Sequence, residues 1–390
     1  MKLVIINDAV YAYASDDPQA VGGAERQQWL LARALAGAGW SVTVGVRDFL
    51  KPGNRAAIEG VQFVGLPQYQ SFLSPYQRQF SLYRFLRSER PDWLYWRCAD
   101  YLLGPSVEIA KCLSVRTIFS AAVDGDVKPR TALYRRRYCW PLYLWGLLRV
   151  DKIFVQHVRQ LAELSSSLQM KASILPNIVD LPMTAKSHLE REKYIAWVAM
   201  FREVKRPDLL IEAARKLPQI RFVVCGAPTT FRARPGYGEQ IVKELSTVPN
   251  IDYRGQVSPT EAREIISHAA VFLSTSVEEG FPNTFLEAWA AGTPVISMQC
   301  DPGSVIERFG LGRVPGDFER TLEAINNLTE SSQERESIAI QTRRYVANNH
   351  GESAVVSAFE EGVRNITSCT HSLPSRHQDH KVHSPGPLNP

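Results

Sequence analysis

The chain has no long hydrophobic run. Its longest apolar stretch, YCWPLYLWGLL at residues 138–148, falls well short of the roughly 20 residues that a membrane-spanning helix needs. Cysteine is sparse. Cys98, Cys112, Cys139, Cys225, Cys300 and Cys369 are scattered, and no two stand at C-x-x-C spacing. That excludes a zinc ribbon or a thioredoxin-type pair and, in a chain of 390 residues, points to a reducing compartment. The opening KLVIIN is too short for a secretory signal and lacks a cleavage pattern. A large excess of one charge is also missing. The 45 Lys+Arg stand against 40 Asp+Glu, too even a balance to indicate a nucleic-acid partner. With 45% hydrophobic residues, disorder, a coiled-coil rod and a disulfide scaffold are excluded, and the length allows two full cores. The expected setting is the cytoplasm.

Charge is unevenly spread. Residues 1–180 carry a net charge of +7 and residues 181–390 a net of −2. The first half therefore suits an anionic partner, such as a phosphate-bearing substrate or an acidic membrane surface.

The organisation alternates between strand and helix patterns. KLVIIN reads as a buried parallel strand. A loop with Gly22 and Gly23 follows, and residues 24–38 have helical spacing, with Trp29, Ala32, Leu35 and Ala36 on one face. Further strands are predicted at 41–46, 62–66, 93–97, 116–120 and 152–156. The polar stretch 176–191, with two prolines, reads as an interdomain linker. A second series follows, with strands at 194–201, 221–225, 251–254, 271–276 and 294–298. Helices fall at 207–217 and 260–268, and another ends near Ala291. The pattern predicts an α/β fold of two tandem Rossmann-like domains, 1–178 and 193–350, joined by a linker at 179–192. Their sheets leave an interdomain cleft at the carboxyl ends of the strands. The segment 368–390, rich in His, Pro and Ser, cannot form a core and reads as a disordered tail.

The richest segment is VFLSTSVEEGFPNTFLEAWAAGTPVIS at 271–297. Gly280 lets the backbone approach a ligand closely. The free N–H groups of a helix starting near Asn283 or Thr284 form an anion site suited to a diphosphate. Glu279 and Glu287 can each hold a vicinal diol through two acceptor oxygens. The local alternatives are a capping box from Thr284 to Glu287 and a solvated loop charge at Glu279. Arg202, Lys205 and Arg206 precede Pro207 and read locally as a charged loop before a helix. Asp124-Gly125-Asp126 is either a D-x-D metal motif or a turn. Arg97 ends a strand at the cleft. The segment from Arg130 to Leu148 mixes arginines with aromatics. It is either a patch for anionic lipid or a helix packed on the sheet with its arginines reaching water.

The block EEGFPNTFLEAWAAGTPVIS resembles the donor-site signature of family four of the retaining glycosyltransferases, which have the GT-B fold. Val21-Gly22-Gly23-Ala24-Glu25 is similar to that family's glycine loop. WVAMFREVKRP at 197–207 resembles the strand and basic loop that hold the donor diphosphate, and DKIFVQ at 151–156 resembles the strand closing the first half. The similarity covers about residues 2–366. It implies a metal-independent transfer from a nucleotide-diphosphate sugar, with no further cofactor, to a saccharide or lipid-linked acceptor. The implied setting is cell-surface polysaccharide or glycolipid assembly, with peripheral membrane contact through Arg130 to Leu148. By position, Glu279 would contact hydroxyls of the transferred sugar and Glu287 the ribose diol. The backbone from Gly280 through Phe281, Pro282 and Asn283 to Thr284 would bind the diphosphate, joined by Gly23 across the cleft. Lys205 would neutralise the leaving diphosphate. The family often has Gly-Arg or Gly-Asn where this chain has Ala199-Met200, and Arg202 is the cation expected to replace it. Asp124 or Asp126 would face the acceptor or the reacting sugar, with Asp124 as nucleophile in an alternative double displacement. Arg97 would join the acceptor side. The final helix, 353–366, would cross back to the first domain. An epimerase of the same fold and a non-catalytic nucleotide-sugar binder remain alternatives. The spacing at Gly22-Gly23-Ala24 disfavours a dinucleotide-dependent oxidoreductase.

Overall fold

A computed structural model describes residues 1–17, 22–71, 73–133, 136–182, 187–230 and 232–369. Two sheets organise it. The first holds β1 (Lys2–Ile6), β2 (Ser41–Val46), β3 (Arg55–Ile58), β4 (Val61–Gly65), β5 (Trp93–Arg97), β6 (Arg116–Ser120), β7 (Lys152–Val155) and β8 (Ala172–Ile174). Their spatial order is β3-β4-β2-β1-β5-β6-β7-β8. Only the β3–β4 pair is antiparallel. The second sheet holds β9 (Tyr194–Val198), β10 (Arg221–Cys225), β11 (Ile251–Gly255), β12 (Val271–Ser274), β13 (Val295–Ser297) and β14 (Gly312–Arg313), all parallel. Its order is β11-β10-β9-β12-β13-β14.

The central strands are continuous apolar runs because helices cover both faces. Leu3, Val4 and Ile5 of β1 have no exposed surface, and neither do Ile195 and Ala196 of β9. In each sheet the chain reverses direction beside the central strand, at β1/β5 and at β9/β12. Such switch points leave a crevice beyond the carboxyl ends of the strands.

The last helix, Glu352–Cys369, runs three residues past its predicted end. Val355, Phe359 and Val363 sit in the core of the first sheet. The Phe359 ring lies 5.4 Å from both Trp40 and Phe154, centroid to centroid. Gly362 packs on Phe154, where a Cβ would come within 2.5 Å of the ring. The predicted tail beyond Cys369 lies outside the described residues, as do Val21 of the glycine loop and residues 183–186 of the linker.

The linker is polar in sequence, yet much of it is buried. Asn177, Ile178 and Val179 are buried, as are His188 and Arg191 further on. The Gln27 side chain reads the Ile178 backbone in both directions, donating to its carbonyl at 2.8 Å and accepting from its N–H at 2.7 Å. A polar backbone can be buried here because its groups are paired. The segment 130–148 also departs from a fully packed helix. Tyr143, Gly146 and Leu147 of the Trp140–Arg149 helix are buried, while Tyr138, Leu142, Trp145 and Leu148 are 40–76% exposed.

Two buried histidines give this arrangement a pH limit. The His350 Nδ1 lies 2.7 Å from the Asn177 carbonyl, and the His188 Nε2 lies 2.8 Å from that of Gly292. Burial pulls both rings down to about 4, against about 6.5 in the unfolded chain. The unfolded chain therefore binds more protons between these values. Stability is complete above pH 6.5 and is lost as pH falls toward 4, on the order of 3 kcal/mol for each ring at the limit. Urea unfolding at pH 7, 6 and 5 should show this decline, with a shallower slope in His350→Gln. A flat profile across the window would mean that the folded rings accept protons.

Candidate active site

At the switch point of the second sheet, the turn Glu203–Lys205 follows β9 and the loop with Glu279 follows β12. The two loops are stitched together. The Trp197 indole donates to Thr275 Oγ1 at 3.1 Å, Thr275 donates to the Lys205 carbonyl at 2.7 Å, and the Val277 N–H donates to the Val204 carbonyl at 3.0 Å. This framework brings the Lys205 ammonium onto the Glu279 carboxylate as a hydrogen-bonded ion pair, largely shielded from water.

Arg202 joins them. Burial lowers its affinity for a proton, and Glu279 is the main attractive charge opposing that effect. Its Nε is buried with no hydrogen-bond partner among the described residues. The cation expected to stand in at Ala199-Met200 thus feels the same carboxylate that pairs with Lys205. Cys300 lies among these groups, donating to the Ser276 carbonyl at 3.2 Å. Its thiol is pushed up to about 12 by burial first, then by Glu279, against Lys205 and with a further push from Asp124. The thiol is therefore neutral, and it feels the charges of Glu279 and Lys205 together with that of Asp124 from the first domain.

The helix after the loop spans Asn283–Ala291, and Gly292 ends it at φ 79°. The Thr284-to-Glu287 capping box does not form. Pro282 stands at the N-cap without a side-chain cap. The Glu287 carboxylate instead pairs with Arg26, in the first turn of the Gly23–Gly37 helix. Both residues are 8% exposed. The signal for this partner was a charge on the Trp29 face of that helix, since a buried charge needs a counter-charge.

Gly280 is a further correction. Its face meets the other domain, not open space. A Cβ there would lie 2.8 Å from the Ala122 carbonyl and 2.7 Å from the Gln156 side chain. The missing side chain lets the first domain close on the loop. The Phe281 ring is buried between Trp289 and His350, so only its backbone borders the site. Asn283 is the clamp across the cleft. Its Nδ2 donates to the Gly23 carbonyl at 3.0 Å, and its Oδ1 accepts from Gln27 at 2.9 Å and Asn177 at 3.2 Å. Gly23, placed across the cleft by the sequence, is thus joined directly to this helix. The first-turn N–H groups of Asn283 and Thr284 have no acceptor among the described residues, as expected at a helix start.

On the first-domain side, D-x-D separates into two roles. Asp124 opens a short 3-10 turn, Asp124–Val127, and its Oδ1 lies 3.0 Å from His157 Nε2 and 2.9 Å from Gln160 Nε2. Burial raises this carboxyl, but the two hydrogen bonds outweigh it and hold it below the usual range. His157 is not among the residues that the sequence singles out. His157 directly follows the predicted strand 152–156 and was the available signal. Asp126, expected on the acceptor side, is instead 4% exposed. It accepts the backbone N–H groups of Ala99, Ala122 and Val123 at 3.3, 2.7 and 3.2 Å. It pins the loop and is out of reach of an acceptor. Arg97 donates to Asn177 Oδ1 at 2.9 Å, and Asn177 donates to the Phe281 carbonyl at 3.0 Å. Arg97 is therefore one side chain away from the glutamate loop. Among the described residues, no cluster of three His, Cys, Asp or Glu could hold a metal, and no helix is long and apolar enough to cross a membrane.

Comparison with known proteins agrees with this layout. Residues 22–177 match the family model of the glycosyl transferase 4-like domain, and residues 183–345 match that of the glycosyl transferases group 1. Together they span most of the chain. The D-inositol 3-phosphate glycosyltransferase of Mycobacterium marinum is 29% identical over 153 residues, 38% of this chain and 33% of that protein. Its counterpart in Mycobacterium leprae is 32% identical over 104 residues, 26% of this chain and 24% of that protein. The chain thus matches a third or less of the length of these curated relatives. Among solved structures, a sucrose-phosphate synthase from Thermosynechococcus elongatus superposes with a TM-score of 0.74 at 17% identity, covering 95% of this chain and all of that one. The Anabaena protein HepE, in complex with UDP and glucose, superposes with a TM-score of 0.69 at 13% identity over 94% of this chain and all of that one. These likenesses show the fold.

The Arg26–Glu287 pair makes a stability prediction. Glu287→Ala leaves a buried guanidinium without its counter-charge and should cost about 3–5 kcal/mol. Replacing both partners by apolar residues, Arg26→Met with Glu287→Leu, should recover most of that loss in urea denaturation. Equal losses in the single and double variants would mean that the pair is not the cause.

Proposed function

The chain belongs to family four of the GT-B glycosyltransferases, and from that premise we propose a specific reaction. It moves a sugar from a nucleotide-diphosphate sugar to an acceptor hydroxyl, with retention at the anomeric carbon and without a metal ion. The observation that carries this is the convergence of Lys205, Arg202 and Glu279 at the switch point of the second sheet, opposite Asp124 of the first. The two cations and the free first-turn N–H groups supply positive charge where a leaving diphosphate would sit.

In this reading Glu279 holds hydroxyls of the transferred sugar, and Lys205 passes from Glu279 toward the diphosphate as its charge grows. Glu287 gives Oε1 to Arg26 and keeps Oε2 for the ribose diol. The bond from the anomeric carbon to the diphosphate oxygen breaks as the bond to the acceptor oxygen forms on the same face. The acceptor proton goes to the leaving phosphate oxygen. Asp124, held anionic by His157 and Gln160, faces the positive charge that develops on the sugar ring. A carboxylate so well paired is a weak nucleophile, which favours same-face attack over double displacement.

The HepE complex makes UDP the first nucleotide to try. The exposed Tyr138, Leu142, Trp145 and Leu148, with Arg136 and Arg137 beside them, support a peripheral contact with anionic lipid. That fits an acceptor in cell-surface polysaccharide or glycolipid assembly at the cytoplasmic face.

The test is a thermal-shift screen against UDP, GDP, ADP and their sugar conjugates, with Mg²⁺ or EDTA. A nucleotide at 100 times its Kd adds about 2.7 kcal/mol of stability. One nucleotide family should raise Tm equally in EDTA and Mg²⁺. Lys205→Met should lower kcat of donor turnover by about 100- to 1000-fold. No shift, a shift that needs Mg²⁺, or conversion of the donor to its epimer without acceptor would each overturn the proposal.

A further inference from the structure

The chain passes between the two domains twice. Ile178 packs in the core of the first sheet and Val179 in a core of the second, so the outward crossing lies between them. On the way back Val346 belongs to the second core and Val355 to the first. The return therefore runs through His350, at the end of the Ser332–His350 helix. The two crossings are tied side by side. The Val179 N–H donates to the His350 carbonyl at 3.0 Å, and the His350 Nδ1 donates to the Asn177 carbonyl at 2.7 Å. A carbonyl only accepts, so the ring carries its proton on Nδ1.

His350 also reaches the glutamate loop. Its buried ring stands 5.0 Å from the Phe281 ring, centroid to centroid. On another side the Phe281 ring meets Trp289 edge-on at 6.2 Å. The Phe281 carbonyl accepts from Asn177 Nδ2 at 3.0 Å. Both crossings thus hold residue 281, one by its ring and the other by its backbone. Phe281 stands between Glu279, paired with Lys205, and the first helical turn at Asn283 and Thr284. Neither flank has much slack to absorb a shift. Pro282 is held at φ −64° by its own ring, and Gly280 is pressed on Ala122 and Val123. A displacement of the Phe281 ring therefore moves the helix start and the glutamate together.

We propose that His350 is a positioning residue for the donor site: through Phe281 it sets the place of the backbone N–H groups that receive the diphosphate. This rests on the glycosyltransferase reading of the glutamate loop. The ring contact fixes where Phe281 sits, and the hydrogen bond to Asn177 fixes the ring. The loop is therefore in its binding position only while the two crossings are. A misplacement of about 1 Å can cost on the order of 100-fold in rate. Here it falls first on the groups that face the diphosphate, and the rest of the nucleotide keeps its contacts.

The test is calorimetric titration of the full chain with UDP and UMP, and with the pairs GDP and GMP, and ADP and AMP. In the pair that binds, wild type should take the diphosphate roughly tenfold or more tightly than the monophosphate. His350→Asn keeps a donor near the Nδ1 position and removes the ring. It should cut that ratio about fivefold or more and change the monophosphate Kd by less than about twofold. His350→Phe keeps a ring on Phe281 and should recover most of the ratio. Phe281→Leu should act like His350→Asn, and the double variant should be no worse than the poorer single, since both lie on one path. Phe281→Leu carries the test if His350→Asn does not fold. Equal losses for the two nucleotides, an unchanged ratio, or no recovery in His350→Phe would leave His350 a structural role only and overturn the inference. If nucleotides bind and the ratio does not respond, the donor reading stands without it. If no nucleotide binds wild type, both fall.

Discussion

Three amide side chains, two of them buried and the third half-buried, hold the two halves of this molecule in register. Asn177 lies in the linker, Gln27 on the Gly23–Gly37 helix, and Asn283 at the start of the helix that follows the glutamate loop. Each hydrogen bond contributes only about 1 kcal/mol net, but leaving one of these buried groups unpaired costs about 1–3. The cluster is therefore weak as glue and strict as a gauge. It fixes how far the second domain can slide on the first while the bonds are made. It also explains why the linker is buried, and with it the His350 ring that donates to the Asn177 carbonyl; burial keeps that ring neutral against the pull of the hydrogen bond. An apolar seam would be stickier and less exact. A polar seam can part and re-form, as domain closure over a substrate requires.

From that seam follows the electrostatics. Once the Gly23–Gly37 helix is pinned against the Asn283–Ala291 helix, Arg26 has one carboxylate to neutralise it, and Glu287 supplies it. Once Gly280 is pressed on Ala122 and Val123, the turn that Asp124 opens lies against the glutamate loop. The switch points of the two sheets then face each other across a short polar gap. One side carries Lys205 and Arg202, the other Asp124 with its histidine. Charges that would be screened on separate surfaces act here in partly dry surroundings, where their interaction is several times stronger than in water.

Much of the scaffold was legible because its strands are continuous apolar runs. The strands missed, RAAI of β3, ASI of β8 and GR of β14, are short edge or near-edge pieces with too few apolar residues to mark a period. The glutamate loop was legible from its glycine, its proline and the spacing of its acids. Its partners were not. Arg26 is 261 positions from Glu287, and no local pattern links them, so the nearer Thr284 took the role of cap. Asp124 and Asp126 show the same limit. Two aspartates at D-x-D spacing look alike in sequence, but one turns to His157 and the other into three backbone N–H groups. Gly280 was read as room for a ligand. The room is taken by the other domain, which only the folded arrangement of β6 and the loop after it reveals.

The uneven charge of the chain gains a structural meaning from these contacts. The positive excess of the first half is not spread as a general field. Part of it lies in Arg130, Arg136 and Arg137 around the exposed aromatic stripe, with Arg130 over Trp140 and Arg136 over Tyr101. Another part lies in Arg47, Arg78 and Arg97 beyond the carboxyl ends of the first sheet. The second domain carries little net charge: Lys205 pairs with Glu279, Arg221 with Asp252 and Arg313 with Glu334. The charged groups of the two halves thus sit on separate sheets. The amide seam brings them together at the depth of a single asparagine.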